Sequence, residues 1–166
     1  MRSAKMTLTH LDAAGNARMV DISQKAPTQR MAIAVGRVLM ASATLELVRA
    51  QQVKKGDVLQ IAQLAGIMGA KRTPDLIPLC HPMMLNAVNV KLSIQDDPAA
   101  ILVEGMCKVS GKTGVEMEAL TAVSIACLTI YDMLKAADKA MVIDQIHLIE
   151  KQGGKSGTYL KPNLPA

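Results

Sequence analysis

The stretch VNVKLSIQDDPAAILVEGMCKV, residues 88–109, reads as two strands joined by a turn. Val88, Val90, Leu92 and Ile94 alternate with Asn89, Lys91 and Ser93, the period-two pattern of a strand with one buried face. Asp96, Asp97 and Pro98 are turn formers. Ile101, Val103, Gly105, Cys107 and Val109 then alternate again, so the two runs predict an antiparallel hairpin. Such a hairpin has one apolar face to cover, and the flanking sequence supplies the cover.

Downstream, Thr113-x-x-Glu116 has the spacing of a capping box, with Gly111 and Gly114 beside it. It predicts a helix running to about residue 137. Residues 119–131 carry no charge, so this helix should be buried on more than one side. Upstream, Asp57 and Gln60 have N-cap spacing, and Val58, Ile61, Ala62, Ala65 and Met68 share one face of a second helix that ends near Gly69. Between them Pro74, Pro78 and Pro82 predict an irregular segment over residues 73–82, with no helix or central strand. Residues 29–36 read as a strand, residues 43–50 as a short helix, and residues 19–22 and 144–149 as further strands. The order strand, helices, hairpin, long helix, strand is the split βαβ arrangement. It predicts an α+β, ferredoxin-like sandwich whose antiparallel sheet carries helices on one face. The other face calls for a cover, and a second subunit is the natural candidate.

Composition narrows the function. In 166 residues Tyr131 and Tyr159 are the only aromatics, and twelve Met join the aliphatics as core filler. Stacking platforms for RNA or single-stranded DNA therefore cannot be built. The net charge of +5, from 19 basic and 14 acidic residues, is spread along the chain, which suits a small polyanion better than nucleic acid. Cys80, Cys107 and Cys127 form no C-x-x-C pair, and three dispersed His add no ligand spacing, so neither a disulfide framework nor a metal site is expected. No uncharged apolar run reaches the roughly eighteen residues of a bilayer span. With no apolar leader either, the expectation is a reducing cytoplasm and no membrane. Gly111-Lys112-Thr113 and Gly154-Lys155-Ser156 resemble the end of a P-loop, but Met106 and Ile149 stand where its first glycine belongs.

The chemistry-bearing residues start with Asp132 and Lys135, which follow the uncharged run at i, i+3 and so share a helix face. They read either as an exposed ion pair or as an acid/base pair in a cleft. Glu118, Thr121, Asp132, Lys135 and Lys139 fall in one arc of the helix, a polar seam that predicts a pocket. Lys54 and Lys55 precede the helix start at Asp57, where they oppose the helix dipole unless an anion binds or both point to water. His81 sits in a proline-stiffened loop, as a structural histidine or as an imidazole held for phosphate or proton work. Lys71 and Arg72 follow the second helix, and Lys151 to Lys155 join two cations to glycines, either a phosphate contact or a flexible tail. Glu116 is explained by its cap, and Glu118 is not. Together these predict a pocket for a phosphorylated small molecule, with the reaction unnamed.

Two stretches, KRTPDLIPLCHP (residues 71–82) and TGVEMEALTA (residues 113–122), resemble the MoaC family, and YDMLK (131–135), GGKSG (153–157) and MVDIS (19–23) fit the same pattern. The resemblance implies cyclic pyranopterin monophosphate synthase activity in molybdenum cofactor biosynthesis. The expected substrate is 3',8-cyclo-7,8-dihydro-GTP, and the products are cyclic pyranopterin monophosphate and diphosphate. It implies no required cofactor, with Mg2+ on the triphosphate left open. By resemblance Asp132 is the catalytic carboxylate, and Lys135 and Lys55 move protons. Leu79, Cys80 and His81 line the site, with His81 placed for phosphate or cyclisation chemistry, and Met117 and Glu118 contact the substrate. Arg30, Lys71, Arg72, Lys151 and Lys155 are expected on the triphosphate. The resemblance further implies a homohexamer, a trimer of dimers with the site at a dimer interface and Lys55 arriving from a neighbouring chain. Converging cations would lower the pKa of Lys55 and Lys135. Residues 1–18 then form a mobile arm, 19–158 the single catalytic domain and 159–166 a tail. A non-catalytic nucleotide-sensing module on the same fold is the alternative, and an RNA-binding protein the third reading.

Overall fold

A computed structural model describes residues 14–162. Its elements in chain order are β1 (Thr28–Leu39), α1 (Ser42–Arg49), α2 (Val58–Lys71), α3 (Thr73–Leu76), β2 (Ala87–Gln95), β3 (Ala100–Gly111), α4 (Glu116–Leu134), β4 (Val142–Gln152) and β5 (Tyr159–Leu160). The hairpin forms as predicted, with Val88 opposite Cys107 and Ile94 opposite Ile101. The sheet has the order β2-β3-β1-β4-β5 with every pairing antiparallel, and α2 and α4 pack on one face, so the α+β ferredoxin-like reading holds.

The core follows from strand alternation. Ala32, Ala34 and Val38 of β1 and Ile101, Val103, Cys107 and Val109 of β3 are buried against the helices. Small residues let α4 come close. A Cβ at Gly36 would meet Val123 Cγ1 at 2.6 Å, and one at Gly105 would meet Val123 Cγ2 at 2.9 Å. The largest fully buried side chains are Leu45, Ile101, Ile130 and Leu134, each contributing roughly 1.5–3 kcal/mol on transfer from water. By length and composition alone α4 could cross a membrane, but more than half of its apolar window is buried in this core.

Among the described residues the opposite sheet face carries no helix. Met31, Ile33, Val35 and Leu39 are half-buried there, and Arg37 donates to both carboxylate oxygens of Asp144 at 2.9 and 2.8 Å. A concavity of about 760 Å³ lined by Val35, Arg37, Lys91, Glu104 and Gln145 lies on this side.

Local readings differ in places. Asp57 caps α2 as predicted, its carboxylate accepting from the Gln60 amide at 3.0 Å, but α2 continues through Gly69 to Lys71. The proline segment does contain a turn of helix, α3, because Pro74 lies in its first turn, where a missing N–H costs nothing. Thr73, fully buried, donates to the Ala70 carbonyl at 3.0 Å and ties α3 to α2. The capping box does not form. Val115 is the N-cap, no side chain caps it, and the Glu116 carboxylate lies 3.7 Å from Lys151 instead. Residues 19–22 run without sheet pairing, and α4 stops at Leu134. Tyr159 and Leu160, assigned to the tail, pair with Lys151 and Glu150 as an edge strand. Most of the predicted arm, residues 1–13, lies outside the described residues, as do residues 163–166.

Candidate active site

At the C-terminal end of α4 three charges converge. Asp132 occupies the last turn, where the uncharged run meets solvent, and Lys135 follows one turn on. Lys135 Nζ lies 2.6 Å from Asp132 Oδ1. Lys55, in the loop before α2, donates to Asp132 Oδ2 at 2.8 Å and to the Asp132 backbone carbonyl at 2.7 Å. The last carbonyls of a helix lack intrahelical partners and carry the negative end of its dipole, so an ammonium is stabilised there. The hydrogen bonds from Lys135 and Lys55 hold the Asp132 carboxyl down to about 2. Asp132 in turn raises Lys135 above the ordinary lysine value. This corrects the expectation of a lowered pKa for Lys135: the hydrogen bond and charge of Asp132 outweigh the desolvation that opposes them. Lys55 reaches Asp132 within one chain, whereas the resemblance implies its arrival from a neighbour. All three side chains remain about half exposed, at 47, 57 and 52% for Lys55, Asp132 and Lys135.

The other end of α4 borders a cavity of about 340 Å³. Leu79, Cys80, His81, Met117 and Glu118 line it together. Glu118 is 3% exposed. Burial, reinforced by the charge of Glu116 and opposed by a hydrogen bond from its own amide, pushes its carboxyl up to about 7. Burial and the nearby Glu118 also raise the Cys80 thiol. His81 Nε2 lies 2.9 Å from the Val20 carbonyl. Arg30 and Lys151 belong to this end of the molecule. Arg30 Nε donates to the Gly111 carbonyl at 3.0 Å, and a side chain at Gly154 would run into its guanidinium. Lys151 faces Glu116 and donates to the Ser156 hydroxyl.

The residues expected at one site therefore form two groups. Asp132 lies fourteen positions after Glu118 in α4, about 21 Å along the helix axis. The predicted polar seam is not a single pocket: it opens into the His81 cavity at one end and ends in solvent at the other. Lys71 lines a different groove with Ile67, Met84 and Asn86, and Arg72 is the exposed C-cap of α2. Lys155 is exposed in the turn after β4. Lys25 and Glu116, neither of them expected at the site from the sequence, also line the His81 cavity. Glu116 was hidden by its apparent cap, and nothing local marked Lys25. Among the described residues no group of three His, Cys, Asp or Glu side chains could hold a metal ion.

Ammonium groups gathered on a carboxylate, and a buried carboxyl held up near neutrality in a cavity that an imidazole also lines, are the equipment of a ferredoxin-like α+β enzyme that transfers protons. Comparison with known proteins narrows the class. The MoaC family profile matches residues 19–154. The cyclic pyranopterin monophosphate synthase of Heliobacterium modesticaldum is 58% identical over 154 residues, 93% of this chain and 97% of that protein. The enzyme of the same name from Rhodospirillum rubrum is 59% identical over 152 residues, 92% of each chain. That of Desulfitobacterium hafniense is 57% identical over 156 residues, 94% of this chain and 95% of that protein. The chain belongs to the MoaC family.

Proposed function

We propose that this chain is a cyclic pyranopterin monophosphate synthase, a phosphorus–oxygen lyase of molybdenum cofactor biosynthesis. It takes 3',8-cyclo-7,8-dihydro-GTP to cyclic pyranopterin monophosphate and diphosphate in the cytoplasm, where its three cysteines stay free. The observation that carries the reading is the Lys55–Asp132–Lys135 cluster within a chain of this family. Opening and reclosing a purine ring requires several proton transfers. Lys55 and Lys135, both held against Asp132, are the groups that move those protons. Asp132, with a carboxyl near 2, is too weak a base to take a proton at neutral pH; it sets the direction of two ammonium groups. Glu118, titrating near 7, can donate or accept a hydrogen bond at the substrate's base. Arg30 and Lys151, with Lys71, Arg72 and Lys155 as further candidates, bind the triphosphate and stabilise the departing diphosphate. The reaction has no net redox change and needs no resident cofactor; any Mg2+ arrives with the triphosphate.

Acid–base partners must lie within hydrogen-bond reach of the reacting atoms. Two clusters about 21 Å apart on one helix do not both meet that condition at one reacting centre. A second copy of the chain supplies the complement, so that the His81 cavity of one protomer faces the Asp132 cluster of another. The helix-free sheet face, with Met31, Ile33, Val35 and Leu39, favours such pairing. A homohexamer built as a trimer of dimers, with sites at a dimer interface, is the assembly this reading adopts. Mass-spectrometric detection of the pyranopterin and of diphosphate after supply of the cyclised nucleotide tests it. Binding of that nucleotide without product would establish the sensing module instead.

A further inference from the structure

The motif Met19-Val20-Asp21-Ile22-Ser23 has no part in the reading above, yet it forms a wall of the His81 cavity through Val20 and Ile22. Among the described residues its backbone pairs with no strand, and a turn and side-chain hydrogen bonds hold it. Asp21 Oδ1 accepts the Ser23 amide at 2.8 Å, closing a turn. The Lys25 amide donates to the Ile22 carbonyl at 3.1 Å. Lys112 Nζ donates to the Ser23 carbonyl at 2.8 Å. These bonds pin the chain next to the Val20 carbonyl, which shares a rigid peptide plane with the Asp21 amide. That carbonyl is the group His81 Nε2 meets at 2.9 Å. A carbonyl oxygen only accepts, so Nε2 carries the proton, and in the neutral ring Nδ1 keeps the lone pair.

We infer that Asp21, through the turn it closes, is a positioning residue for His81: the Val20 carbonyl holds the imidazole as the Nε2–H tautomer and leaves Nδ1 as its basic nitrogen. The catalytic consequence rests on His81 acting on the substrate, as proposed above; the tautomer does not.

The test uses the full chain labelled with 15N-histidine, at a pH where the ring is neutral. Signals of His81 are assigned by their loss in His81→Gln. Wild type should show one tautomer, protonated at Nε2. Asp21→Ala should show a mixture of tautomers and lose kcat on the order of tenfold, the scale of removing an orienting partner, with little change in KM. Asp21→Asn keeps an oxygen for the Ser23 amide and should restore both signals and rate. If Asp21→Ala does not fold, Lys112→Met removes the tether at Ser23 and should give the same mixture. A wild-type His81 protonated on Nδ1, or His81 signals unchanged in both Asp21→Ala and Lys112→Met, overturns the inference. A tautomer mixture with full kcat overturns the catalytic consequence and leaves the tautomer assignment standing. Absence of turnover in every form, with the wild-type tautomer intact, would count against the proposed function and leave the positioning role standing.

Discussion

Lys55 and Asp132, 77 residues apart in sequence, are joined by two hydrogen bonds from one ammonium, to the carboxylate at 2.8 Å and to the backbone carbonyl of the same residue at 2.7 Å. The lysine thereby reads the position of the helix end as well as the side chain. A substitution that spares the carboxylate but shifts the last turn of α4 would disturb both contacts.

This pairing sets a complementation pattern. Lys55 and Asp132 belong to one cluster in one chain, so mixed oligomers of Lys55→Ala and Asp132→Ala subunits should stay inactive. His81 lies in the other cluster. Mixing His81→Ala with Asp132→Ala under proven subunit exchange should restore about a quarter of the sites, since half of randomly paired dimers are mixed and each has one intact site. Activity assays of the exchanged oligomers decide it; no recovery with the His81 partner would mean that the site is not shared.

Lys135→Arg should abolish turnover at every pH assayed, with at least a hundredfold loss of kcat, because a guanidinium keeps its charge beside Asp132 but does not release a proton. Folding should be unaffected, since the ion pair is half exposed. Wild-type rates in Lys135→Arg would remove Lys135 from the proton transfers.

Glu118 predicts a pH dependence of stability. Its folded-state pKa is raised to about 7 from an ordinary 4.5, so the folded chain binds this proton more tightly than the unfolded chain does. Between those two values the contribution of Glu118 therefore falls as pH rises, and above 7 the loss is complete. The span corresponds to a cost on the order of 3 kcal/mol. Glu118→Gln should thus gain stability relative to wild type in urea titrations at pH 8 and show little difference at pH 4, at matched protein concentration. A constant difference across that range would show that Glu118 does not carry the shift.

The glycine against α4 gives a packing test. Gly36→Ala places a methyl group 2.6 Å from Val123 Cγ1 and should destabilise by about 1–3 kcal/mol. Adding Val123→Ala should recover part of that loss, a coupling that a double-mutant cycle by urea unfolding measures.

What was legible in the sequence was what depends on near neighbours. The hairpin at 88–109 declared itself by strict alternation, and Asp57 by its three-residue spacing to Gln60. The Asp132–Lys135 pair showed because a helix brings i and i+3 together. Long-range competition was not legible. Glu116 has cap spacing to Thr113, yet it makes no cap, and its carboxylate lies 3.7 Å from Lys151, on a strand 35 residues further on. Lys55 looked like an unfavourable charge before α2 because the helix end that accommodates it is that of α4. The wall formed by residues 19–25 was invisible for the same reason: its partners His81 and Lys112 lie 61 and 89 residues away.

The nearly aromatic-free interior has a practical outcome. Tyr131 directly precedes Asp132, and its hydroxyl donates to the Lys139 carbonyl at 3.2 Å. With no tryptophan in the chain and Tyr159 as the other emitter, replacing Tyr159 by Phe leaves a single intrinsic fluorophore adjoining the lysine cluster. Occupancy of that cluster can then be followed optically, without attaching a dye.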